Sequence, residues 1–139
     1  MSETNETQCG KPGRVSWNEL ISPDPKASAK FYGGLFGWQA TPFTPPGAAP
    51  GGPPYTLFKT DAEDMGTAGM VQSPQPTMPP LWLPYVMVEN VDTSLAKAVE
   101  LGGKALMEVM SIGGVGRIAV VQDPLGAVFG LHEPPKAEV

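Results

Sequence analysis

The sequence predicts an α+β fold: two paired βαβββ modules forming a curved mixed sheet around a concave cavity. Three observations predict it. A strand, a helix and three further strands are written twice along the chain. The two helical segments, "KASAKFYGGLFG" and "TSLAKAVELGGK", can be laid over each other, with Ala-Lys at the same helical place and glycine following. Finally, each half of about 60 residues exposes one apolar sheet face that it could scarcely bury alone, so the halves are expected to share a sheet.

The first strand is "RVSWNELI", which ends at Ser22-Pro23-Asp24. Asp24 suits an N-cap and Pro25 the first helical turn, Ala27, Phe31 and Leu35 recur at helical spacing, and Gly33 or Gly34 ends or loosens the last turn. "GWQATPF" and "PYTLFKT" read as strands around "TPPGAAPGGPP", whose proline and glycine suit an exposed loop rather than a sheet interior. "GTAGMVQ" supplies one more strand before the linker-like "SPQPTMPP". The second half opens with the strand "WLPYVMVEN". An amphipathic helix follows in "VDTSLAKAVELGG", with Leu95 and Val99 on its apolar side and a glycine stop. Three strands, "KALMEVM", "GRIAVVQ" and "GAVFGLH", complete it, the last two joined by the turn Asp123-Pro124-Leu125-Gly126. The expected division is a tail over 1–12, a first module over 13–73, a linker over 74–81, a second module over 82–133 and a tail over 134–139, making one structural domain.

Composition narrows the function. A net charge of −5, without clusters of Lys and Arg, disfavours nucleic acid and a polybasic membrane contact. No apolar run approaches the roughly 20 residues of a membrane span, and the polar start "MSETNETQCGKPG" lacks the hydrophobic core of a signal peptide, so a cytoplasmic protein is expected. The single cysteine, Cys9, can close no internal disulfide, and with His132 the only imidazole, the donors that zinc or iron usually takes are scarce. The one His and one Cys lie at opposite ends of the chain, and no serine-histidine-acid set is written, which disfavours covalent hydrolysis.

The residues "WNELISPDPKASAKFYGGLFGW", "YVMVENVDTSLAKAVELGGKAL" and "GVGRIAVVQDPLGAVFGL" together resemble the vicinal oxygen chelate superfamily of glyoxalase I, bleomycin-resistance proteins and extradiol dioxygenases. The resemblance covers residues 13 to 132 and is nearest to an uncharacterised glyoxalase-like subgroup. It implies paired βαβββ modules, dimers and, in the enzymes, a divalent metal held by His, Glu or Gln. Matched position by position, those ligands fall on Trp17, Tyr85, Gly130 and the neighbourhood of Ala68 to Met70, none of which is a usual donor. The resemblance therefore implies the fold without its usual metal site. No cofactor is expected, although carboxylates alone leave an oxygen-rich magnesium or manganese site open.

The candidate site residues follow. Alternation places Trp17, Glu19 and Ile21 on one face of the first strand, and Asn18 and Leu20 on the other. If that face lines a cavity, Glu19 is a buried acid able to act as general base or ligand anchor; the alternative is that it bonds a backbone group or a tyrosine hydroxyl. Tyr85, at a former ligand position, either hydrogen-bonds a ligand as an electrophile or fills the space of the missing metal. Trp17, Phe58, Met70, Met87 and Phe129 are candidate apolar walls, and Arg117 beside "GGVGR" a candidate anion contact. The expected function is metal-free binding of a small hydrophobic or aromatic molecule by a homodimer. The alternatives are a lyase, isomerase or oxygenase, metal-dependent or with Glu19 as base, and a dimeric scaffold with a vestigial cavity.

Overall fold

A computed structural model describes residues 11–44, 55–61, 66–73, 79–112 and 115–135. The predicted loop after Thr44, most of the predicted linker and Cys9 lie outside them. The chain forms two compact units. One holds Trp17–Thr44 and Ala48–Leu83, and the other holds Pro84–Val139 with the chain up to Ser16.

In the first unit, β1 (Val15–Ser22) leads to helix α1 (Pro25–Phe36), then β2 (Gln39–Phe43), β3 (Tyr55–Lys59) and β4 (Ala68–Gln72). The sheet order is β2-β3-β4-β1, antiparallel except where β4 meets β1 in parallel. Asp24 caps the helix by accepting the Ala27 N–H at 3.2 Å, and Pro25 opens it. The helix ends later than expected. It runs through Gly33 and Gly34 and stops where Gly37, at φ +77°, supplies the left-handed turn and donates to the Gly33 carbonyl. Its inward side also differs from expectation. Ala29 and Tyr32 pack on the core of Leu20, Phe58, Ala68 and Met70, whereas Phe31 and Leu35 are 61% and 60% exposed.

In the second unit, β5 (Leu81–Met87) precedes helix α2 (Val91–Glu100), β6 (Lys104–Ala105), β7 (Met110–Ile112), β8 (Gly116–Gln122) and β9 (Val128–Glu133). The order is β5-β9-β8-β6, with β7 also on β8 and β9 parallel to β5. The expected strand "KALMEVM" is two short pieces rather than one: Leu106 still donates to the Val120 carbonyl, after which the chain leaves the ladder until Met110. Asn90 caps α2 through the Thr93 N–H at 2.8 Å. Val91, Ala119, Val121 and Leu131 form the core beneath the helix, joined by Leu95, Ala98 and Phe129, while Val99 faces solvent. The Asp123 turn is built as its residues predict. One carboxylate oxygen accepts from Leu125 and Ala127, and Gly126 takes φ +103°. No described helix is long and apolar enough to cross a membrane.

Candidate functional site

Strand register assigns each candidate to a face. Leu20 lies beside Met70, and Phe58 beside Ala68, all on the side that α1 covers. Their neighbours in the ladder, Glu19 beside Gly69 and Leu57 beside Gly69, therefore point the other way, together with Trp17, Tyr55 and Phe43. This corrects two expected wall residues: Phe58 and Met70 are buried core under α1, on the opposite side of the sheet from Glu19.

On the face opposite α1, three side chains form a directed hydrogen-bond chain. The Trp17 indole N–H donates to the Tyr55 hydroxyl at 3.0 Å, and that hydroxyl donates to the Glu19 carboxylate. A phenol carries one proton, so a hydroxyl that accepts from an indole has its own proton left for the carboxylate. Burial, reinforced by the negative charge of Glu19, pushes the Tyr55 pKa well above its ordinary value, and Tyr55 stays a neutral donor throughout the physiological range. Glu19 itself is half-buried rather than buried. Of the two partners the sequence left open for it, a tyrosine hydroxyl is one that the structure supplies.

Glycine makes the arrangement possible. A Cβ on Gly69 would lie 2.5 Å from Tyr55 Cζ, so the phenol can lie across β4 only because position 69 has no side chain. Gly66 serves the Trp17 ring similarly, with a Cβ there falling 3.3 Å from its far edge. The Phe43 ring meets Tyr55 edge-on at 6.2 Å. The result is a carboxylate beside two aromatic rings, those of Trp17 and Tyr55, its hydroxyl partner already oriented. Tyr55 was missed from sequence.

In the second unit the face opposite α2 carries Tyr85, Met87, Ile118, Val120, Gly130 and His132. Tyr85 is 4% exposed, and its ring lies over Gly130, its partner in the ladder, where a Cβ would come 2.8 Å from Tyr85 Cγ. Phe129 is corrected to the α2-side core. Arg117 is corrected as well: its guanidinium pairs with Asp92 at 2.7 Å and Glu133 at 3.5 Å on the α2 side, so its charge is already used. Met87 borders a shallow depression of about 450 Å³ at the start of α2, shared with Gly13, Asn90 and Thr93.

His132 is half-buried. Nε2 lies 2.7 Å from the Val115 carbonyl, so it carries the proton, and Nδ1 faces the Ser16 hydroxyl at 3.4 Å. Ser16 and His132 thus meet, which the sequence did not reveal. The orienting group on the far side of the ring is a backbone carbonyl, not an acid, and the Ser16 proton also has the Tyr85 carbonyl within reach at 3.4 Å.

The divalent metal implied by the resemblance can be tested against the donors. The Trp17 indole is engaged with Tyr55, Tyr85 and Gly130 form one filled volume, and Ala68 and Met70 face α1. Among the described residues no three His, Cys, Asp or Glu side chains converge on a point that could hold an ion. This donor set does not fit the metal.

Residues 18–132 match the model of a family described as a glyoxalase-like domain. The anthracycline biosynthesis protein DnrV of Streptomyces peucetius is 37% identical over an alignment 132 residues long that covers 86% of this chain and 46% of that protein, so the chain spans about half the length of the curated relatives it matches. Solved structures that share the fold include the following two. A methylmalonyl-CoA epimerase of Streptomyces coelicolor superposes with a TM-score of 0.60 at 17% identity, over 93% of this chain and 99% of that one. An extradiol ring-cleaving dioxygenase from B. fuscum gives 0.58 at 19% identity, over 93% of this chain and 35% of that one.

Proposed function

The chain belongs to the glyoxalase-like domain family, and on that premise we propose that it binds a small hydrophobic or aromatic molecule without a metal, against the Trp17, Glu19 and Tyr55 face. The observation that carries this reading is the hydrogen-bond chain from Trp17 through Tyr55 to Glu19. A carboxylate oriented in advance by a half-buried phenol loses little freedom when it accepts a donor from a ligand, and the rings of Trp17 and Tyr55, with Phe43 beyond Tyr55, offer the apolar contact. Tyr55 acts here by positioning Glu19.

The test is a native mass spectrum with elemental analysis on protein purified without chelator or affinity tag. The expected result is a retained organic molecule, substoichiometric metal, and loss of that molecule in both Glu19→Gln and Tyr55→Phe. Stoichiometric metal, or retention indifferent to both substitutions, would reject the proposal.

A second reading is supported by the same geometry: Glu19 abstracts a proton from carbon on a bound ligand. Its mark is deuterium uptake at one ligand carbon in D2O, absent in Glu19→Gln even when binding persists. Uptake that survives the substitution would exclude Glu19 as the base.

A further inference from the structure

We propose that the ligand taken on the Trp17, Glu19 and Tyr55 face is a cation: an ammonium group on a short link to an apolar or aromatic body. The proposal rests on the binding reading above and narrows it from any hydrophobic molecule to a positively charged one.

The first support is where charge falls on this face. Strand register sets Glu19, Gly69, Leu57 and Thr41 in one row across β1, β4, β3 and β2, with Ile21, Val71, Tyr55 and Phe43 in the next. Alternation adds Trp17 on β1 and Lys59 on β3 to the same side. The face therefore carries one acid and one base. Lys59 stands two strands across and two residues along from Glu19, roughly 12 Å between backbones, which exceeds the screening length of about 8 Å at physiological salt. Among the described residues no ion pair involves Lys59. Glu19 thus sets the sign of the local potential, and it repels an anionic ligand.

The second support is the pair of rings. The Trp17 indole meets the Tyr55 hydroxyl at 3.0 Å, and that hydroxyl donates to Glu19, so the carboxylate lies where two aromatic side chains converge. Aromatic faces are negative and attract a cation, indole most strongly. An ammonium bonded to Glu19 shares that carboxylate with the Tyr55 hydroxyl, which keeps the cation beside the rings. A neutral donor would gain the hydrogen bond alone. Because Glu19 is half-buried, water screens the ion pair less than it would at an open surface.

The third support is the floor beside the carboxylate. The Tyr55 phenol lies over Gly69, next to Glu19, and Leu57 follows on the next strand, its side chain 3.5 Å from where a Cβ on Gly66 would stand and the Trp17 ring 3.3 Å from the same point. From Glu19 to Leu57 is two strand spacings, about 10 Å, a span that suits an arylalkylamine laid along the row.

Three probes of similar length test the proposal: phenethylammonium, phenethyl alcohol and phenylacetate. Each is titrated into the full chain at neutral pH, with the Trp17 indole N–H followed by NMR. The ammonium is expected to bind at least about tenfold more tightly than the alcohol, with phenylacetate weakest. Glu19→Gln is expected to remove that advantage while the alcohol still binds. If Glu19→Gln fails to fold, salt decides, since the advantage should shrink between about 0.05 and 0.5 M NaCl. An alcohol that binds as tightly as the ammonium, or an advantage that neither substitution nor salt reduces, overturns the proposal and leaves the binding reading standing. No shift with any of the three also overturns it, and the retained-molecule test above then judges the binding reading by itself.

Discussion

Replacing Gly130 with alanine tests how the two units hold their tyrosines. The added methyl would overlap the root of the Tyr85 ring, at 2.8 Å from Cγ, against an ordinary carbon contact of about 3.5–4.0 Å. Rotation about χ2 leaves the ring root in place, and a residue 4% exposed has no solvent to swing into about χ1, so strand β9 or β5 must shift. Overpacking of this kind costs about 1–3 kcal/mol, and the lower entropy of the unfolded alanine chain returns about 0.4–1 kcal/mol. The net loss is about 1.3 kcal/mol, or roughly 5 °C in Tm at this chain length. Urea unfolding with tryptophan fluorescence measures it, and the decisive arm is the double substitution with Tyr85→Ala. There the methyl falls into vacated space, and the cost of Gly130→Ala should shrink by at least about 1 kcal/mol. An unchanged cost in that background would refute the claim that the Tyr85 ring occupies the space over Gly130. Gly69→Ala is a useful contrast, because its methyl meets the hydroxyl end of a half-buried phenol that can swing aside. It should cost about 1 kcal/mol in stability while releasing any ligand that depends on Glu19.

Two further outcomes concern charge. The folded-state pKa of Tyr55 is raised, so its contribution to stability is fully present below the unfolded value of about 10 and is lost as the pH climbs above it. Urea midpoints measured between about pH 9 and 11 should fall with pH, and the fall should be shallower in Tyr55→Phe; equal slopes would contradict it. Glu133→Ala removes the carboxylate that accepts the Val91 N–H at 2.9 Å and faces Arg117, which leaves a buried amide without its acceptor. The expected loss is about 2 kcal/mol, with Glu133→Gln costing less than half as much because the amide oxygen still accepts.

The parts of the fold legible in sequence were those decided locally. Asp24-Pro25 starts a helix and Asp123-Pro-x-Gly closes a turn through contacts within four residues, and both are found as read. The inward side of α1 was not local. Ala27, Phe31 and Leu35 are spaced for one helical stripe, and Ala29, Tyr32 and Phe36 for another. The larger residues suggested the first, yet the sheet took Ala29 and Tyr32, whose ring reaches Phe58 and Trp38. Periodicity alone does not tell which of two such stripes the sheet takes.

The site was half legible for a related reason. Alternation says which residues of one strand share a face, and it placed Trp17 with Glu19 and apart from Leu20. It does not say which residues of another strand join them, since that depends on register. Glu19 lies beside Gly69, Gly69 beside Leu57, and Tyr55 is two residues from Leu57; each step is non-local, and a slip of one residue would have put Phe58 and Met70 on the Glu19 face instead. One signal was present. Gly69 stands alone between Ala68 and Met70 in a strand, where glycine weakens the ladder unless another group approaches closely. An unexplained strand glycine facing the same way as Glu19 points to a bulky neighbour on that face, and Tyr55 is one of few side chains on the adjacent strand large and polar enough to use the space. Gly130 under Tyr85 repeats the device in the second unit. The two modules therefore share a means of seating a tyrosine across a strand, and in the first that tyrosine is joined to both an indole and a carboxylate.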